Sequence, residues 1–147
     1  MSTRRLAVAM GAMALVAAGC ASGYEALGTR TAQVSINGTE VAENPRIRCE
    51  QVQWVWFIKS LEETPGFSAQ VRTGETVVAR LVRIEDLGGF TGSSWNADIT
   101  GPAIPVGVEA DAEVADGAFT ISGTATGFYQ DDPAESATAE FEIRTDC

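Results

Sequence analysis

The sequence predicts an all-β fold: an antiparallel meander, a curved sheet or a small sandwich, preceded by a helical signal segment. Two patterns indicate this fold class. Apolar residues recur with a period of two over most of the chain after residue 30, and turn-forming pairs such as Asn37-Gly38 and Asp116-Gly117 separate these runs. Helical periodicity is not convincing outside the signal segment, although residues 61–64 could form a single helical turn.

The alternation is clearest near the two ends of the predicted sheet. Val34 and Ile36 share one face of an early strand that ends at the Asn37-Gly38 turn. A late strand is apolar on one face and polar on the other, as expected for a half-buried strand. The face predicted to be buried carries Ala137, Ala139, Phe141, Ile143, Thr145 and Cys147.

Between these ends, turn signals divide the chain into further predicted strands. These are 45–49, 52–58, 67–72, 76–84, 90–100, 106–114 and 119–127.

The predicted strand 52–58 is apolar on both faces. Trp54 and Trp56 fall on one face, and Val55 and Phe57 on the other. Such a strand either lies in the core or exposes an apolar patch. If the two tryptophans line a concave sheet, they could bind an acyl chain or stack on sugar rings. The simpler interpretation is a core strand, and the sequence leaves both open.

The N-terminus has the layout of a bacterial lipoprotein signal. Arg4 and Arg5 precede an apolar stretch at 6–18, and small residues lead to Cys20. The apolar stretch is shorter than the ~20 residues that span a bilayer. We therefore predict a signal peptide at 1–19, a lipidated Cys20 with its tether at 20–30, and a single β domain at 31–147. A plain secretory signal that leaves Cys20 free is the alternative.

Lipidation of Cys20 would determine where the protein resides. Diacylglycerol or palmitate chains add ~0.8 kcal/mol of membrane affinity per buried methylene, so that more than one chain gives a stable anchor. The predicted location is the extracytoplasmic face of the cell membrane, in the cell envelope. The membrane is then a partner through the lipid on Cys20.

The remaining cysteines, Cys49 and Cys147, are predicted to form a disulfide, because an exported domain lies where disulfides persist. The alternative is two buried free thiols.

Charge and composition exclude several function classes. The net charge is −10, and it becomes −12 without Arg4 and Arg5, which disfavours nucleic acid as a partner. The chain contains no histidine, which removes histidine-based catalytic triads and most zinc sites. We predict no catalytic residue, no metal site and no cofactor. The acidic residues Glu109, Asp111 and Glu113 are interpreted as a solvated strand face.

Two late segments resemble the mycobacterial LpqH lipoprotein antigen family. The segment 119–127 (FTISGTATG) is similar to that family's Ile-x-Gly-Thr-Ala-Thr-Gly strand, and 141–147 (FEIRTDC) to its terminal strand ending at a cysteine. The early Val-x-Ile-x-Gly strand at 34–38, the following Cys49 and the signal ending at Cys20 also match.

The resemblance implies an acylated cell-envelope protein. Family members are recognised by innate immune receptors largely through their lipid, some are regarded as adhesins, and no catalytic residues belong to the family. We therefore predict a non-enzymatic surface antigen, with a host receptor as a partner. The alternative hypothesis is a carrier of lipid or glycolipid that uses the surface around Trp54 and Trp56.

Overall fold

The computed structural model describes residues 30–95 and 110–147, which form one curled antiparallel sheet with the shape of a half-barrel. The described strands are β1 Arg30–Thr31, β2 Gln33–Ile36, β3 Thr39–Glu40, β4 Arg46–Val52, β5 Val55–Ser60, β6 Gly66–Arg72, β7 Val78–Leu87, β8 Phe90–Trp95, β9 Ala110–Ala115, β10 Ala118–Tyr129 and β11 Asp132–Asp146. Their order in the sheet is β1-β4-β5-β6-β7-β8-β10-β11-β2-β3, and β9 pairs with β10.

The predicted all-β class is confirmed. Both two-residue turns identified from the sequence, Asn37-Gly38 and Asp116-Gly117, have positive φ at both positions, as tight hairpin turns require. Within the described ranges, no helix is long and apolar enough to cross a membrane. The predicted signal segment, the tether before Arg30, and the predicted strand positions at 96–109 lie outside the described residues.

β10 is the central strand of the second half of the sheet. One of its edges pairs with β11 along most of its length, and its other edge is shared by β9 at 118–123 and β8 at 126–129. At Gly127 the backbones approach so closely that an added Cβ would clash with the Thr91 carbonyl oxygen. The glycine that ends the GTATG motif therefore has a packing role.

The segment 30–36 joins both ends of the sheet. Its first two residues pair with β4, whereas its last four pair with β11. Between them, the Ala32 N–H donates a hydrogen bond to the Pro45 carbonyl at 2.9 Å. One short stretch of chain thus connects strands that stand far apart in the sheet order.

The core lies on the inner face of the curl. In β11 the buried residues alternate as the sequence predicted, from Ala139 to Thr145. Side chains from β2, β4–β8 and β10 complete this core, and the largest fully buried ones are Phe90, Ile47, Ile58, Ile84, Leu87, Ile121 and Ile143.

Polar contacts pin the β2–β3 hairpin to the long β10–β11 hairpin. The Asn37 side-chain amide donates to the Tyr129 hydroxyl at 2.6 Å, and its oxygen accepts from the Glu140 N–H at 2.9 Å. The Tyr129 ring in turn packs edge-on against Phe90, with ring centroids 5.2 Å apart. Asn37 therefore serves both the turn and the tertiary packing.

Two local predictions are wrong. Residues 61–64 form bends and no helical turn. The predicted strand 52–58 is instead interrupted by a hairpin turn at Gln53-Trp54, with Val52 of β4 opposite Val55 of β5. Gln53 has a φ of 55°, a backbone conformation that glycine or asparagine usually adopts in such turns. Because glutamine is not a typical turn residue, this turn could not be recognised in the sequence.

Candidate functional site

The candidate site is the end of the sheet at which the chain enters β1. Arg30 pairs with Ile47, and β1 runs antiparallel to β4. β4 runs towards its turn at Gln53-Trp54, so β1 enters the sheet from the end that carries this turn. We call this the entry end. It also holds the β6–β7 loop at 73–77, because β5 and β6 pair in register from Val55.

The predicted disulfide is present at the entry end. Cys49 of β4 is bonded to Cys147, which directly follows β11, with the two Cα atoms 5.8 Å apart. The Cys147 N–H also donates to the Gly117 carbonyl in the β9–β10 turn at 2.9 Å. The disulfide therefore links β4 to β11, the same two strands that segment 30–36 connects by backbone pairing.

Trp56 fills the interior at this end. It lies on the inner face of β5, between Gln51 and Val71, and its ring packs against Phe119 of β10 with centroids 5.4 Å apart. Both half-cystines and Trp56 are partly buried against the core. Trp56 thus occupies the position that the core-strand interpretation predicted.

Trp54 lies elsewhere. It sits in the β4–β5 turn and is 68% exposed. Its carbonyl accepts hydrogen bonds from the N–H and the hydroxyl of Thr73, at 2.7 and 3.3 Å. Trp54 and the residues of the loop 72–76 line an open depression. The two tryptophans therefore do not share a sheet face, because the turn at Gln53-Trp54 breaks the alternation that placed them together.

This arrangement bears on the carrier hypothesis. A concave surface lined by both Trp54 and Trp56 is not formed, since one ring packs in the core and the other faces solvent. Ligand binding by these residues stays a prediction. Of the acidic strand face, Asp111 and Glu113 are exposed on β9, whereas Glu109 lies outside the described residues.

The apolar character of the entry end was not predicted from the sequence. Val52 is 53% exposed and Val77 is 36% exposed, and both lie near Trp54 on neighbouring hairpins. The apolar run 52–58 indicates this surface only when the position of the turn at Gln53-Trp54 is known.

The family model of the Mycobacterium 19 kDa lipoprotein antigen matches residues 25–147, which includes every described strand. This chain belongs to that family. It is also 33% identical to a "Putative lipoprotein" of Mycobacterium avium subsp. hominissuis, over 99% of this chain and 94% of the relative. A "Putative lipoprotein" of Mycobacterium indicus pranii is 34% identical, over 80% of this chain and 78% of the relative.

Membership confirms the resemblance drawn from the GTATG and FEIRTDC segments. The match also extends through the middle of the chain, which forms the four neighbouring strands β5 to β8.

Proposed function

We propose that this protein is a non-enzymatic lipoprotein held on the extracytoplasmic face of the cell membrane by diacylglycerol on Cys20, and that it acts by interaction. The observation that carries the proposal is the signal pattern ending at Cys20 in a chain whose family and relatives are named as lipoproteins. The relative from M. avium aligns over 99% of this chain, so the similarity reaches the predicted signal as well as the sheet.

The non-enzymatic part of the proposal rests on the side chains available. The chain lacks histidine, and the candidate site is built from a disulfide, aromatic rings and apolar residues. None of these groups transfers protons near neutral pH, as a general acid or base must. The interaction with host innate receptors would then be made through the acylated N-terminus.

Mass spectrometry of the N-terminal peptide from the native host tests the anchor. We expect a chain that begins at Cys20 and carries the added mass of diacylglycerol. The Cys20→Ala variant should leave the membrane fraction, whereas the matched double variant C49A/C147A, which removes the other two cysteines, should remain there. An unmodified Cys20 in the native host would refute the proposal.

The same variants test the interaction role. Purified lipidated protein should stimulate a host receptor for bacterial acyl chains, and C20A should lose this activity at least about tenfold, because the buried chains supply most of the binding free energy. Equal stimulation by both proteins would place recognition on the sheet instead of the lipid.

A further inference from the structure

The entry end presents an apolar surface formed by two adjacent hairpins. Among the described residues, four large apolar side chains are markedly exposed, and three of them lie here: Val52, Trp54 and Val77. Half-buried Val55 and Val78 lie beside them on β5 and β7. We call Val52, Trp54 and Val77 the apolar tip. The fourth residue, Leu61, lies at the opposite end of β5.

We propose that the apolar tip docks into the interface of the lipid bilayer to which the protein is anchored. This inference rests on the proposed lipidation of Cys20. It adds a second, side-chain contact with the same membrane and thereby fixes the orientation of the sheet.

Chain direction supports the membrane as the occupant. β1 enters the sheet from the entry end, and nine residues separate Arg30 from Cys20. Ten residue steps span at most ~35 Å. From Ile47, opposite Arg30, to Val52 is five residues, or ~17 Å along the strand. The anchor can therefore reach the level of Trp54 with about half of its length to spare.

The chemistry of the tip also fits a bilayer interface. Tryptophan is enriched at the level of the lipid headgroups, because its ring is apolar and its N–H is polar. Arg72 and Glu75 are the charged residues within 52–55 and 72–78, so these two segments carry no net charge. In a chain with a net charge of −10, these two segments are an exception that anionic headgroups would not repel.

A second copy of the chain fits the tip less well. A stable protein interface buries ~800 Å² on each partner, which takes about 20–30 residues. Three exposed apolar side chains on two hairpin turns offer far less. Shallow insertion into lipid needs no such area, because the bilayer conforms to the side chains that enter it.

The tip is also held rigidly enough to insert as a unit. The hydrogen bonds from Thr73 to the Trp54 carbonyl tie the two hairpin turns together. Two residues after Trp54, the Trp56 ring packs on Phe119 against the core. The backbone of the two turns therefore needs little further ordering when the tip enters the interface, which lowers the entropic cost of docking.

Quenching of tryptophan fluorescence by brominated acyl chains tests the proposal. The lipidated protein is reconstituted into phosphatidylcholine vesicles, and the mass of the Cys20 peptide is measured on the same sample. We expect bromolipids to quench on the order of one third of the emission, since Trp54 is one of three tryptophans and the one at the tip. W54F should abolish this quenching without loss of the fold, because the side chain is exposed.

The double variant W54F/L61W is the matched control. It moves the indole to another exposed position at the far end of β5, ~20 Å away along the strand, where bromolipids should not quench it. The inference is overturned if lipidated wild-type protein shows no more quenching than W54F, or if W54F/L61W is quenched as strongly as wild type. In those cases lipidated Cys20 still supports the anchor. An unmodified Cys20 overturns both proposals. Loss of a dimer in W54F, without lipid quenching, would assign the tip to self-association instead.

Discussion

Removing the Cys49–Cys147 disulfide with the double variant C49A/C147A should strongly destabilise the protein without abolishing its fold. The two cysteines are separated by 98 residues, so the bond closes a loop that spans most of the described chain. In the chain-entropy model, a loop of this size lowers the entropy of the unfolded state enough to contribute about 4.7 kcal/mol to stability.

The folded state should survive this loss because β4 and β11, which the disulfide links, are also connected by the backbone pairing of segment 30–36. Segment 30–36 pairs with β4 and with β11 independently of the sulfur atoms. Alanine at both positions leaves this pairing and the buried core unchanged, and removes only partly buried sulfur. We therefore expect the variant to keep the β-sheet signal in circular dichroism.

Urea unfolding followed by the fluorescence of Trp56 measures the difference. With a slope of ~1–3 kcal/mol/M, a loss of about 4.7 kcal/mol should lower the midpoint by roughly 1.5–5 M. The slope should rise, because an unfolded chain without the cross-link is more extended and exposes more surface. Wild-type protein in reducing agent is the control and should coincide with the variant. A loss below about 1 kcal/mol with an unchanged slope would show that the unfolded chain is not restricted by this loop.

Two further substitutions test the packing described above, each with a matched partner. W56A should lower the free energy of unfolding by about 2–4 kcal/mol, because it removes the ring that packs on Phe119, whereas W54A should change it by less than about 0.5 kcal/mol. Similar losses from both variants would contradict their different placement. N37A should cost about 1–2 kcal/mol, since it removes two side-chain hydrogen bonds and a residue that tolerates positive φ. N37G keeps the backbone conformation and loses only the hydrogen bonds, so thermal unfolding should place it between N37A and wild type; a value at or below N37A would refute the role of the side-chain contacts.

Local alternation predicted most strands because a half-buried strand must place apolar residues on one face. The residues of β11 and the turns at Asn37-Gly38 and Asp116-Gly117 follow this rule closely. The rule fails where both faces are apolar. In 52–58 the alternation could not reveal the turn, since Gln53 and Trp54 are not typical turn residues and Val52 and Val55 continue the apolar pattern on either side.

The order of the strands in the sheet, unlike their positions in the sequence, cannot be predicted from local alternation. β1 and β2 are separated in sequence by Ala32 alone, yet they pair with strands at opposite ends of the sheet path. Nothing in a seven-residue stretch encodes which distant edges it will meet, because long-range pairing depends on the closure of the whole sheet. The apolar tip could not be predicted from the sequence for the same reason. Its members are distant in sequence and become neighbours only when the two hairpins lie side by side.

The disulfide is placed where the sheet is most easily opened. β1 pairs through only two residues, and short edge pairings of this kind are the first to separate in local unfolding. Such opening would detach β1 from β4 at the point where the chain enters the sheet. Because Cys49 ties β4 to the residue after β11, and β11 holds β2, the partners of segment 30–36 cannot move apart while the bond is intact. Reduction should therefore increase amide exchange in Arg30 and Thr31 before it affects the core of β10, which links the disulfide to the rigidity of the end nearest the proposed anchor.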